Sequence, residues 1–176
     1  EKVLKETGFQ IDVLNLNARN FFPKINQIRK ENGISLWRLI RISFLFLEEV
    51  RFIEKLEKKA SFLRPREKTK GITDQILIET LEKLDNVKSE KELKNLEKQA
   101  SKEISKIEID MNRKPLKIGL VGEIYTVIDG AVNFDVERKL GIMGAETHRQ
   151  MNLSYHLAKT VFPWIDWKIQ RLSLIH

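Results

Sequence analysis

Gly122, Glu123, Tyr125 and Asn133 bring a carboxylate, a phenol and a carboxamide close to a glycine over residues 122–133. Such a set can line a ligand cleft, since it offers acceptors, donors and a place where backbone or ligand comes close. Asn133 stands where it can cap a helix, whose free N–H groups could hold an anionic group. The surrounding G-L-V-G-E is neither the G-x-G-x-x-G nucleotide fingerprint nor a P-loop. The competing reading is that Glu123 pairs with a lysine or arginine and Tyr125 merely packs. Weaker candidates lie elsewhere. His148 and His156 fit surface positions better than a shared metal. Arg64, Arg66, Lys68 and Lys70 around Pro65 form a cationic patch that could meet a phosphate, with a solvated turn preferred. Trp164 and Trp167 read as core or as a partner-facing surface.

Composition removes whole classes of chemistry. The 176 residues contain no cysteine, so a disulfide scaffold, thiolate zinc, a cysteine nucleophile and a self-contained iron–sulfur site are excluded within this chain. At 41% hydrophobic and 32% charged, the sequence has enough apolar side chain to fold. The net charge of +7 is +4 over residues 1–47, zero over 48–110 and +3 over 111–176. A polyanion binder concentrates its basic residues, so no nucleic-acid partner is expected. The most apolar stretch, residues 34–47, contains Arg38 and Arg41 and falls short of the roughly 20 residues that cross a bilayer. No membrane partner is therefore expected. A start at Glu1 rather than Met is read as the mark of a piece excised from a longer protein.

The elements that must position these residues fall into three parts. Residues 1–32 read as the end of a first α/β unit: a short helix stopped by Gly8, then an alternating strand over 10–16. Residues 33–110 read as helical. Gly33 and Ser35 open a helix whose apolar residues recur at three- and four-residue steps from Leu36 to Leu56 and extend onto a second face, so it needs another layer. Arg64 and Pro65 break that pattern. A second helix is expected over 73–85. A third begins at Ser89, with Glu92 placed for a capping box and with Leu93, Leu96, Ala100, Ile104 and Ile107 inward. Residues 111–176 read as a second α/β unit: a buried parallel strand over 117–125, a turn at Asp129 and Gly130, a helix with Val136 and Leu140, a strand over 145–149, and a helix from Ser154 to Pro163. That order is a βαβ unit, and ligands of open parallel sheets bind beyond the carboxyl ends of strands. The fold class is α/β, with Rossmann-like parallel sheet pieces and a helical insertion.

Four segments in order resemble one family. F-L-R-P-R-E-K-T-K-G-I-T-D at 62–74 resembles its R-P-x-E-x-x-K-G-x-x-D. I-E-I-D at 107–110 resembles the I-x-x-D before its central strand, and K-P-L-K-I-G-L-V-G-E-I-Y at 114–125 is similar to that strand. N-F-D-V-E-R-K-L-G-I-M-G-A-E at 133–146 resembles the N-x-x-x-x-x-x-L-x-x-x-G-x-E that follows. The family is the acyl-CoA dehydratase and CoA-protein activase group, related to the 2-hydroxyglutaryl-CoA dehydratase component. The resemblance covers residues 60–150 well and 1–59 loosely. It implies a cytoplasmic protein of an anaerobe, with an iron–sulfur cluster on cysteines and an ATP-dependent activator as partner. It carries over Gly122, Glu123, Tyr125 and Asn133 as cleft residues, without individual roles. Two departures stand out: there is no cysteine, and Asp129-Gly-Ala-Val132 replaces a proline-containing turn. The expected function is thus a cysteine-free segment that contributes a cleft and an interaction surface, catalytically silent alone, with the rest of the polypeptide or a partner subunit holding the metal. The alternative is a stand-alone α/β binding module for a small anionic ligand.

Overall fold

Ser35 and Ser89 begin helices for the same reason: a short side-chain oxygen accepts a backbone N–H that the first helical turn leaves without an intrahelical partner. The structure, a computed structural model, describes residues 21–161. The expected helix over 1–7, the strand over 10–16, and Pro163, Trp164 and Trp167 lie outside them. The chain divides into two units, residues 1–42 and 43–176. In the first, helix α1 (Phe21–Glu31) ends at Gly33, whose φ of +63° lets Ile34 N–H turn back to the Arg29 carbonyl at 2.9 Å. Ser35 Oγ then accepts from Arg38 N at 3.2 Å and opens helix α2 (Leu36–Leu63), which crosses the division between the units.

In the second unit, α2 continues and is followed by α3 (Ile72–Leu84) and α4 (Glu90–Ser105). Helix α2 runs seven residues beyond Leu56 and stops before Arg64 and Pro65, as the restriction on the residue preceding proline requires. Leu47, Val50, Phe52, Leu56 and Ala60 are buried, while Trp37, Ile42 and Phe46 are exposed. Phe52 and Leu56 meet Leu84 of α3 and Leu93, Leu96 and Ala100 of α4 in the apolar core, with Ile53, Leu77, Leu81 and Ile104 around it. Each such side chain removed from water contributes about 1.5–3 kcal/mol. At the start of α4 the capping box forms with a one-residue offset. Ser89 Oγ accepts from Glu92 N at 3.3 Å, but the Glu92 carboxylate reaches back to Lys88 N at 2.8 Å rather than to Ser89.

Strand β1 (Leu116–Leu120), the short helices α5 (Ile124–Ile128) and α6 (Val136–Ile142), strand β2 (Ala145–Arg149) and helix α7 (Leu153–Val161) complete the described chain. The protein is therefore mixed α/β, mostly helical, with a parallel pair in which Leu116 lies opposite Ala145 and Leu120 opposite Arg149. The expected buried strand over 117–125 is corrected in two ways. The strand ends at Leu120, because the Glu123 carboxylate caps a helical turn immediately afterwards. It is also not interior: Leu116 is 72% and Val121 91% exposed, since α6 packs on β2 and leaves β1 open. The buried strand is β2, with Ala145, Glu146 and Thr147 all inside.

Candidate functional site

The four expected cleft residues are placed together in the β1–α5–α6 connection, with most of their polar groups satisfied locally. Glu123 Oε2 accepts from Tyr125 N at 2.9 Å and Thr126 N at 3.4 Å, so it pairs with its own helix rather than with a lysine or arginine. Asn133 spans two elements: Nδ2 donates to the Thr126 and Val127 carbonyls of α5, at 3.0 and 3.1 Å, and Oδ1 accepts from Val136 N of α6 at 3.3 Å. Gly122 sits where an added Cβ would lie 3.1 Å from Val127 Cγ2, the close approach of strand end to helix. Tyr125 is 76% exposed. Next to them, Phe134 and Asp135 hold positive φ values of 57° and 54°, a conformation that costs non-glycine residues of order 1–3 kcal/mol each.

The expected cationic patch is also corrected, for its two arginines point inward. Arg64 Nε donates to Asp74 Oδ1 at 2.6 Å, and Asp74 Oδ2 receives Arg138 Nε at 3.0 Å. Arg66 Nη1 lies 2.6 Å from Glu146 Oε2 and lays its guanidinium 4.0 Å over the Phe62 ring, while Glu146 Oε1 takes His148 Nε2 at 2.8 Å. Glu67 turns its carboxylate onto the start of α3, accepting from Gly71 N at 2.7 Å and Thr73 N at 3.0 Å, the placement that a helix N-terminus favours. The backbone joins the same region: Lys68 N donates to Glu108 O and Asp110 N to Arg66 O, both at 2.9 Å. Gly141 of α6 completes it, since a Cβ there would stand 2.8 Å from Arg64 Cδ. Burial raises the Glu146 carboxyl, but Arg66 and His148 outweigh it and hold the group below the usual carboxylate range. His148 thereby donates its Nε2–H to Glu146, while His156 packs edge-on against Tyr155.

Beyond the carboxyl end of β2 opens a cavity of about 390 Å³, bounded by α2, α6, the loop 150–152 and the start of α7. Arg149 lies in its wall, paired with Glu57 and lying 3.4 Å from Glu137 Oε2. Glu54 accepts both Ser154 N, at 3.0 Å, and Ser154 Oγ. Ser61 Oγ accepts from Thr147 N at 3.1 Å and hydrogen-bonds the Thr147 carbonyl, which ties α2 to β2. Burial pushes the Glu137 carboxyl up, against the opposing pull of Arg64 and the Thr147 hydroxyl. Burial likewise draws Arg149 down, opposed by Glu54. Lys55 and Lys58 stand exposed on the lip, and neither makes an ion pair.

No protein family, curated protein or solved structure matches this chain.

The cavity follows the rule that ligands of parallel sheets sit past carboxyl strand ends, but it follows β2 and α2 rather than β1. None of Gly122, Glu123, Tyr125 and Asn133 lines it. Sequence reasoning passed over Glu54, Glu57, Glu137 and Arg149 because each looks like an ordinary surface charge on a helix or strand end. The available signal was the dense acid–base alternation of residues 48–58 on a helix with a buried apolar face. An iron–sulfur cluster does not fit the groups present: thiolates are lacking, and among the described residues no three His, Asp or Glu side chains gather to hold a metal. Among those residues, too, no helix is long and apolar enough to cross a membrane. What the arrangement offers chemically is a part-enclosed chamber of ligand size, whose wall carries charged side chains held by one another and by Ser154.

Proposed function

We propose that the chain is a segment of an iron–sulfur protein related to the CoA-protein activases and acyl-CoA dehydratases, supplying a ligand cleft and an interaction surface while cysteines outside it hold the metal. In this reading the protein is cytoplasmic, and its β1–α5–α6–β2 unit is a fragment of a larger Rossmann-like sheet. Its partners are the rest of the polypeptide or a second subunit, and an ATP-dependent activator. The observation that carries the reading is convergence. Three of the segments quoted for the resemblance, far apart in sequence, close on one another through the 66–110 backbone pairing and Arg66–Glu146, around a first segment that is itself tied by Arg64–Asp74 and by Glu67 on the start of α3. Chance likenesses scattered along a chain have no reason to share one buried polar cluster. The cleft of this reading is the cavity past β2, and the exposed Val121, Tyr125 and Phe134 supply the interaction surface.

The test is to purify the native protein anaerobically and assay iron, acid-labile sulfide and the electron paramagnetic resonance of the reduced protein. Stoichiometric iron and sulfide with a cluster signal are expected. An iron-free protein, from cells grown and broken without oxygen, rejects the reading. The second reading, a stand-alone module for a small anionic ligand, is favoured by one specific feature, the two unpaired lysines at the cavity.

A further inference from the structure

We propose that the cavity past β2 is an anion site in which Lys55 and Lys58 receive the phosphate or carboxylate group of a small organic ligand. The proposal rests on taking that cavity as the ligand cleft, and it adds the chemistry of what enters.

The charges around the cavity divide into two sets. The carboxylates are occupied: Glu57 by Arg149, Glu54 by the N–H and hydroxyl of Ser154, Glu137 by Arg149 and the Thr147 hydroxyl. Arg149 is occupied in turn, and Arg51 pairs with Glu48. The three carboxylates outnumber Arg149, but each is held by a donor of the wall. The two ammonium groups are left without a carboxylate, on a lip that faces the chamber. Lys55 and Lys58 are three apart on α2, which sets their Cβ atoms about 5–6 Å from each other on one helix face. Two flexible stems with that spacing can bring six N–H donors onto one doubly charged group. A metal cation is disfavoured at the same place, because the acceptors it needs are already engaged. The volume of about 390 Å³ admits a small molecule and not a polymer, and Gln150, Asn152 and Tyr155 offer polar contacts to its remainder.

Isothermal titration of the protein with inorganic pyrophosphate and, separately, with succinate tests this, at low and at physiological ionic strength. Saturable binding of one pyrophosphate or one succinate per chain, weakened by salt, is expected, and which probe binds tells phosphate from carboxylate. The Lys55→Ala/Lys58→Ala double variant should lose tenfold or more in affinity, by about one decade for the charge-assisted contacts removed. Lys94→Ala/Lys98→Ala, on the exposed face of α4, removes the same formal charge and should bind unchanged. Both pairs are exposed, so equal helicity and melting are expected, and Lys55→Gln/Lys58→Gln repeats the test with longer polar side chains. Equal losses in the two double variants, or no saturable binding of either probe, overturn the proposal. The outcome is independent of the iron assay: an iron-free protein that binds pyrophosphate through these lysines refutes the iron–sulfur reading alone.

Discussion

Glu146 ties β2 to the chain after α2 by its two carboxylate oxygens, one toward Arg66 and one toward His148 two residues further along the same strand. Its side chain is only 7% exposed, so the pair has little water to fall back on. Replacing Glu146→Gln leaves the Arg66 guanidinium buried beside a neutral amide, and a stability loss of about 3 kcal/mol is expected in urea denaturation. The stacking of Arg66 on Phe62 and its bond to the Phe62 carbonyl remain, which keeps the loss from being larger. Gly141 makes a purely steric prediction. Its missing side chain is what lets Arg64 run past α6 to Asp74, and Gly141→Ala should cost about 1–3 kcal/mol by overpacking. The comparison substitution is Gly119→Ala, where an added Cβ meets nothing within 4 Å; its unfolding midpoint should hardly move. Neither role was legible beforehand. Arg64 and Arg66 beside a proline look like a solvated turn until the partners from residues 74 and 146 are seen.

At the level of elements, local chemistry and tertiary packing contributed unequally. Helix α4 has its start written into Ser89 and Glu92, and Ser89→Ala should destabilise by about 1 kcal/mol and raise amide exchange in the first turn of α4 ahead of its middle. Its apolar stripe was equally readable, because Leu93, Leu96 and Ala100 recur at helical spacing and are all buried. Leu56→Ala on α2, facing that stripe, should cost about 2–5 kcal/mol by thermal or chemical unfolding. The β-branched, glycine-rich run after Lys117 misled in one respect. Its composition is that of a parallel strand covered on both faces, and it does pair in parallel, but it lies at the open side of the pair. Composition reports what a strand tolerates; which strand is covered depends on where α6 and α2 come to rest.

For the whole molecule, the balance of buried carboxyls sets the pH dependence. Glu146 is held low in the folded state, so its contribution is present above the unfolded carboxyl range and is lost as pH falls through its folded value. Glu137 is pushed up by burial, so its contribution is full at low pH and fades as pH rises through its folded value. Thermal midpoints measured across pH should therefore fall on the acid side of the ordinary carboxyl range, as Glu146 takes up its proton. The Glu146→Gln variant should flatten that acid limb, and Glu137→Gln should reduce the loss on the neutral side; an unchanged acid limb in Glu146→Gln would remove this account. Helix α1 over 21–31 and the short α5 over 124–128 went unread, but the spread of the +7 charge over both ends of the chain was plain from the residue order, as were the mixed α/β class, the starts of α2, α3 and α4, the stop of α2 before Pro65 and the parallel βαβ order. Those follow from periodicity, caps, glycine and proline, which act within a few residues. The tertiary structure alone decided that Arg64, Arg66, Glu67, Asp74 and Glu146 lock together, that Asn133 clips α5 to α6, and that the chamber opens past β2 between α2 and α7. Ion pairs and cavities join residues tens of positions apart, and a charged side chain carries no mark in the sequence of the partner it will meet.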